Sequence, residues 1–415
     1  MVQTGLPDLP LPRERECPFG PPAEYSRLRD EAPVTRVRCP TGLVAWLVTR
    51  YPDVRAVLGD PERFRTRPGQ AAHVLAHMEP GLPVSEGEFS RMDGPDHLRF
   101  RRHMAPEISA MRRIDQLRPM VRRIVEERID HLAELSPPVD LHTAFARPIT
   151  AAVIAEMLGV PPADRVLFHQ AADALFNTGT STGDLRDALT PLMGYLHGLV
   201  ALRRTTPGDD VLSGLVTRSD DADRRFTDQE LVTMAAAMLI AGYDTTASML
   251  TYGTLMLLEH PDELAALRRD PHLAVTAADE MVRYLGVGIG LLREVAHDTT
   301  IGGQPVSAGD FVVLAIQSAN RDPALVADPD RLDIGRKPPA HLGFGHGPHQ
   351  CVGQQLARLE LTTVLGSLPA RVPTLRLAVP MSEVEFKADT VVLGPKTLPV
   401  AWDAVLPGAE PQEPR

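Results

Sequence analysis

One segment concentrates residues able to do chemistry: His341-Leu342-Gly343-Phe344-Gly345-His346-Gly347-Pro348-His349-Gln350-Cys351-Val352-Gly353. The stretch from Gln354 to Leu368 has helical periodicity, which places Cys351 at a helix N-terminus. There the dipole and free N–H groups favour a thiolate. Gly345, Gly347 and Gly353 crowd the same loop, as expected if backbone must pass close to something flat and rigid. Three readings compete. A buried, inert cysteine explains neither the glycines nor the histidines. A zinc site could use His341, His346, His349 and Cys351, but the spacing matches no common zinc module and a lone cysteine is atypical. A thiolate ligand to haem iron fits the single sulfur, the glycines and Phe344 beside it.

A second constellation is Ala241-Gly242-Tyr243-Asp244-Thr245-Thr246. It falls in the middle of a long apolar helix that begins with a capping box, Thr227 with Glu230 three residues on, and that Pro261 stops. Glycine inside a helix costs about 1 kcal/mol relative to alanine, and a buried carboxylate costs more unless it has a partner. Either the helix is kinked around a satisfied polar contact, or a groove is widened where a small ligand meets an acid and a hydroxyl. The uncharged run from Leu231 to Tyr243 raises a membrane reading, which Asp244 at mid-span and flanks without interfacial aromatics argue against.

The elements that must position these groups are mostly helical. Helices are expected from Arg99 to about Leu135 and from Ile149 to Leu158. A hairpin is expected between Val34 and Val48 around a turn at Pro40–Gly42, with late strands at Thr299–Ile301, Phe311–Ile316 and Val391–Leu393. This order suits one mainly α domain with small β-sheets rather than a βαβ array. The division expected is an extended proline-rich arm over 1–22, the domain over 23–407 and a frayed tail over 408–415. The chain has 415 residues, with 43 basic against 54 acidic side chains and a net charge of −11. That balance argues against a nucleic-acid or anionic-membrane binder. Three cysteines, Cys17, Cys39 and Cys351, are too few for a disulfide framework. With no signal-peptide pattern at the start, a reducing cytoplasm is the expected setting.

With those residues in view, the sequence resembles the cytochrome P450 family. The signature F-G-x-G-x-H-x-C-x-G is met by Phe344, Gly345, Gly347, His349, Cys351 and Gly353. The pattern A-G-x-[DE]-T-[TS] is met by Ala241, Gly242, Asp244, Thr245 and Thr246, and E-x-x-R by Glu280 and Arg283. The likeness extends to Asp93–Arg102, Arg293 and Asn320-Arg321-Asp322-Pro323, and so over essentially the whole chain.

The resemblance implies a single-domain fold with a long central helix over a haem b, and a soluble bacterial-type monooxygenase. Cys351 would be the iron ligand. His97, Arg101, Arg293 and His349 would hold the haem carboxylates, with Phe344, Gly345 and Gly353 shaping the loop. Ala241 and Gly242 would make room for dioxygen, and Asp244 and Thr245 would be an acid–alcohol pair relaying protons. Arg99 and Arg102 read better as a solvated face. Glu280, Arg283 and Arg331 would form a structural ion network beneath the cysteine loop, with Leu332 standing where the family usually has an aromatic residue. Electrons would come from NAD(P)H through a ferredoxin reductase and a ferredoxin, docking on a local basic patch for which Arg99, Arg102, Arg112, Arg113 and Arg358 are candidates. No nucleic-acid or membrane partner is expected. The pocket would draw on Gly69–Phe89, Phe168–Asn177, Met234–Ala241, Val287–Leu292 and Val391–Leu393, all apolar or small, which suits a large apolar molecule such as a polyketide or macrolide. In Leu285–Leu292, three glycines stand where the family often has a proline, a more pliant wall. The expected reaction is hydroxylation or epoxidation. Peroxygenase or ring-coupling chemistry on the same haem is the alternative, and a catalytically silent haem protein a more distant one.

Overall fold

Arg36, Val37 and Arg38 alternate in burial because strand β1 (Val34–Arg38) folds back on β2 (Val44–Val48), with Val34 opposite Val48 and Arg38 opposite Val44. The turn works because Gly42 takes φ +83° and donates its N–H to the Cys39 carbonyl. In this computed structural model, which describes residues 6–13, 18–66, 86–177, 179–218, 225–288, 290–388 and 390–408, the hairpin is extended by β3 (Phe64–Arg65), β4 (Leu291–Val295) and β5 (Phe311–Leu314). The strand order is β1-β2-β5-β4-β3, with β2 and β5 parallel and the other pairs antiparallel. Cys17, the expected wall from 69 to 85 and the tail after Gly408 lie outside the described residues.

The rest is mainly helical. The expected helix from Arg99 to Leu135 is two helices, α1 (Gly94–Ile108) and α2 (Met111–Leu132). They part because Ala110 is extended and the Ser109 hydroxyl donates to the Val352 carbonyl. A π-helical turn at His142–Ala146 leads into α3 (Arg147–Met157), followed by α4 (Val166–Phe176). The long helix α5 (Asp228–Leu258) starts at the expected capping box: Thr227 Oγ1 accepts from the Glu230 N–H at 3.0 Å, and the Glu230 carboxylate accepts from the Thr227 N–H at 2.9 Å. It is α-helical throughout, with no break at Gly242. Most of its side chains are buried, and it runs through the largest hydrophobic cluster, where α2, α3, α6 (Ala274–Leu285) and α7 (Gln354–Arg371) contribute the surrounding apolar faces. Small residues let neighbours approach: a Cβ at Gly253 would collide with Met281 of α6. No described helix is long and apolar enough to cross a membrane.

Val391–Leu393 forms no strand. Val392 makes an isolated bridge with Gly288, Thr390 one with Asn177, and the Leu393 N–H reaches the Val287 carbonyl at 2.7 Å. The segment meets the ends of other elements rather than a strand, so no ladder can propagate. Phe311–Ile316 likewise ends as a strand at Leu314, because Ile316 already starts a short helix.

Candidate functional site

Cys351 sits one residue before Val352-Gly353, the entry to α7. Its N–H donates to the Phe344 carbonyl at 2.8 Å, which closes the loop, and the residue lies deep in the fold yet remains open to solvent. Burial pushes its thiol up. The N–H groups of Gly353 and Gln354 and the guanidinium groups of Arg101 and Arg358 pull the other way. Arg358 lies over the Phe344 ring at 4.5 Å and is held there by Asp279 at 2.9 Å. Asp279 also takes His341 Nε2 at 3.1 Å, while His341 Nδ1 accepts the Gly343 N–H. Although burial acts against it, these contacts hold the Asp279 carboxyl below its usual range.

The histidines of the loop therefore face different partners: His341 reaches Asp279, His349 reaches Asp93 at 2.9 Å, and His346 lies beside Gly59. Among the described residues no group of three or more His, Cys, Asp or Glu is placed to hold a metal ion. Of the three glycines, Gly347 has a reason other than a flat neighbour. At φ +72°, a Cβ there would meet the Leu58 carbonyl at 2.5 Å. A Cβ on Gly353 would meet open space.

Next to the cysteine loop the chain gathers cations. His97, buried in α1, stacks on His349 with ring centroids 4.0 Å apart. Burial, then His349 and Arg101, bring His97 down to about 4. Arg293 is 6% exposed, set by the β4 register opposite Val312. The one hydrogen bond of its guanidinium among the described residues goes to the Leu292 carbonyl, and burial brings it down to about 10. Arg101 is also lowered by burial, against the attraction of Cys351. Among the described residues no carboxylate lies within ion-pair distance of either arginine. Asp93, the residue before α1, is committed to His349 and to the Thr66 N–H and hydroxyl. Although burial pushes it up, these bonds hold it below the usual carboxylate range. Desolvated cations without an anionic partner are costly, so this donor set fits a ligand that brings its own carboxylates, as a haem does, beside an accessible thiol. Thr66 escaped the sequence reading, and Asp93 entered it only as the first residue of the segment Asp93–Arg102, with no role assigned. Asp93 directly precedes Gly94-Pro95, a helix-start signal that could have drawn attention to it.

On α5, accessible positions recur every fourth residue: Thr233, Ala237, Ala241 and Thr245 form one open stripe on a helix otherwise mostly closed. Thr245 Oγ1 donates to the Ala241 carbonyl at 2.7 Å. Gly242, expected to clear space for dioxygen, has a close neighbour on the α3 side. Its missing Cβ would lie 3.1 Å from Ile154 Cδ1, so the glycine admits α3 close to α5. Asp244, 5% exposed, points off the stripe to a flank, where Lys387 Nζ lies 3.4 Å from both its carboxylate oxygens. Lys387 was not singled out from sequence.

Two further expectations change. The buried pair beneath the loop is bidentate, Arg283 to Glu280 at 2.7 and 2.8 Å, but its third member is Arg336, at 3.2 Å from Glu280, and not Arg331. Arg331 is turned outward, its side chain 69% exposed beside Asp333, while Leu332 is buried. Arg99 is not a solvated face: it pairs with Glu230 of the capping box and lies over the Phe100 and Phe226 rings, tying α1 to the start of α5. Of the arginines considered for a docking patch, Arg99, Arg113 and Arg358 are engaged by Glu230, Asp209 and Asp279, leaving Arg102 and Arg112 exposed.

The family model described as Cytochrome P450 matches residues 201–397. The chain is 45% identical to "Cytochrome P450 105C1" of Streptomyces sp, over 94% of this chain and 97% of that protein. It is 38% identical to "Mycinamicin IV hydroxylase/epoxidase" of Micromonospora griseorubida, over 91% and 94%. Among solved structures, CYP105P1 in complex with filipin I matches with a TM-score of 0.89 at 40% identity, covering 96% of this chain and 100% of that one.

Proposed function

This chain belongs to the cytochrome P450 family and is a monooxygenase of that family, and we propose that it hydroxylates or epoxidises a fairly large apolar secondary metabolite of polyketide or macrolide type. The observation that carries this reading is the accessible Cys351 thiol beside desolvated cations for which, among the described residues, no carboxylate lies within ion-pair distance. The haem, when bound, supplies the iron at which dioxygen is activated, with donation from the thiolate favouring O–O cleavage. Cys351 would be its ligand, and Arg101, Arg293, His97 and His349 would hold its carboxylates. Phe344, Gly345 and Gly353 would shape the loop around it. The stripe with Ala241 and Thr245 would face the reacting oxygen, and Asp244 and Thr245 would move protons to it. Electrons would arrive from NAD(P)H through a ferredoxin reductase and a ferredoxin. The exposed Arg112 stands close to the contact of Ser109 with the Val352 carbonyl, which suits a docking site beside the cysteine loop.

A macrocyclic substrate is supported by the open, small-residue stripe of α5 and by the way Phe176, Val287 and Val391–Leu393 adjoin at one wall. Relatives named for mycinamicin and crystallised with filipin point the same way. The test is a spectral titration of the haem protein against a panel of macrolactones, linear polyketides and small aromatics. Macrolactones are expected to shift the Soret band at the lowest concentrations. A response confined to small aromatics would overturn the substrate class.

Haem anchoring gives its own prediction. Arg293→Ala is expected to lower haem retention, since it strips a buried charge from a ligand carboxylate, an effect of about 3–5 kcal/mol for a fully buried pair. Arg101→Ala, half-buried, should do so to a smaller extent. Arg99→Ala should lower the melting temperature by freeing the start of α5 and leave the haem-to-protein ratio unchanged. Equal haem content across the three variants, measured after gel filtration, would refute the anchoring roles.

A further inference from the structure

We infer that Lys387 is a positioning residue for Asp244, and that it ties the direction of that carboxylate to the wall formed by Thr390–Leu393. The inference rests on the proton-relay reading of Asp244 and adds the control that would act on it.

Asp244 belongs to the flank of α5 that continues through Ser248 and Tyr252, one side step from the open stripe of Ala241 and Thr245. This flank borders a cavity of about 1000 Å³ whose other walls include Arg13, His142, Arg147, Asp173, Phe176 and Lys396. The Lys387 ammonium straddles the Asp244 carboxylate at 3.4 Å to each oxygen and also donates to Ser248 Oγ at 2.9 Å. Among the described residues those are the hydrogen bonds of the Asp244 carboxylate; Arg147 acts on it by charge without a hydrogen bond, so the directional contact is that of Lys387. Passing a proton toward Thr245 requires the carboxylate to leave the ammonium. Ser248 keeps the ammonium docked when it does, which makes the release local.

The same lysine is fixed to the wall of the expected substrate pocket. Its N–H donates to the Gly394 carbonyl at 3.0 Å, Phe386 bridges Pro395, and the Lys396 N–H donates to the Glu385 carbonyl at 2.7 Å. Between these two runs, the Val391 N–H reaches the Phe176 carbonyl and the Leu393 N–H reaches the Val287 carbonyl. A molecule pressing on Thr390–Leu393 therefore pushes on the backbone that carries the ammonium. Occupancy of the pocket and freedom of the acid are joined through about five residues of one hairpin.

The test compares Lys387→Met, which keeps the aliphatic stem, with Lys387→Arg, Asp244→Asn and the Lys387→Met/Asp244→Asn double variant, all as haem-loaded full-length protein. Oxygen consumption driven by a surrogate ferredoxin without added substrate should rise roughly fivefold in Lys387→Met, by loss of the partly buried pair. It should return toward the parent rate in Lys387→Arg and fall in Asp244→Asn. The double variant should match Asp244→Asn, because the lysine acts through the acid. Independently of turnover, amide hydrogen exchange at Val391 and Leu393 should quicken roughly fivefold in Lys387→Met while the β1–β2 hairpin stays as it was. A slowed Asp244→Asn together with an unchanged Lys387→Met would overturn this inference and leave the relay standing. An unchanged Asp244→Asn would overturn the relay and the inference with it. A rise in oxygen consumption that persists in the double variant, or exchange at Val391 and Leu393 that does not move, would show that Lys387 does not join the two sites.

Discussion

Replacing Cys351 by serine is expected to abolish the red-shifted Soret band of the reduced, carbon monoxide-bound protein, together with monooxygenase turnover. A serine hydroxyl has almost the same shape, so the loop closed by the Cys351 N–H on the Phe344 carbonyl survives. What is lost is the donor. An alcohol is far less acidic than a thiol and would give a haem iron no anionic sulfur ligand, the donor the haem would need for its oxygen chemistry. The site stabilises an anion there by several small means at once: the N–H groups of Gly353 and Gln354 and the charges of Arg101 and Arg358 oppose the effect of burial. Cys39 is the control. It is buried at the turn of the β1–β2 hairpin, and burial alone pushes its thiol up to about 11, the signature of an inert core sulfur. Cys39→Ser should keep the band at full intensity. Loss of the band in Cys39→Ser with its retention in Cys351→Ser would show that the cysteine loop had been assigned the wrong chemistry.

What could be read in the sequence was what a few neighbouring residues decide. The capping box of Thr227 and Glu230 is written within four residues and appears as expected, as do the β1–β2 hairpin and the helix after Cys351. Contacts across long separations were not legible. Lys387 meets Asp244 from 143 residues away, and nothing in either local sequence names the partner. Arg331 and Arg336 illustrate the same limit at short range. Both follow Pro329 closely, and only the course of the chain decides that Arg336 turns in to Glu280 while its own hydrogen bonds reach the carbonyls of Ala327, Asp328 and Arg331. Gly242 shows how one motif letter can carry a second constraint: the motif marks α5, while a Cβ there would also crowd Ile154 of α3, a contact the local sequence does not name. Arg99 was read by its composition, among other arginines, whereas the aromatic rings of Phe100 and Phe226 and the carboxylate of Glu230 cover much of it.

The acid–alcohol pair gives the second large effect. Thr245→Ala should still bind haem and substrate. Its hydroxyl bonds only to the Ala241 carbonyl one turn back, and the helix keeps its backbone ladder without it. NAD(P)H consumption through a ferredoxin should continue, while oxygen leaves increasingly as hydrogen peroxide because protons no longer arrive in time on the stripe side of α5. Asp244→Asn keeps the shape and removes both the ionisable carrier and the charge that holds Lys387. Turnover should slow about 10²-fold if the carboxylate works as an ordinary general acid. A purely structural pair would behave otherwise. Asp244→Asn would then leave the Lys387 ammonium short of its counter-ion in a half-buried place and lower the melting temperature, and Thr245→Ala would change little, with the product formed per NAD(P)H unaltered in both. Product, peroxide and NAD(P)H measured in the same reaction separate the two cases, and an unaltered product-to-NAD(P)H ratio in both variants would defeat the relay even if both proteins melted earlier. Because Asp244 and Thr245 are adjacent in sequence yet sit on neighbouring faces of α5, one toward the flank cavity and one on the open stripe, a relay through them carries protons from the cavity side of the helix to the reacting side. A solvent isotope effect on peroxide formation that is present in the parent and absent in Asp244→Asn is the expected mark of that transfer.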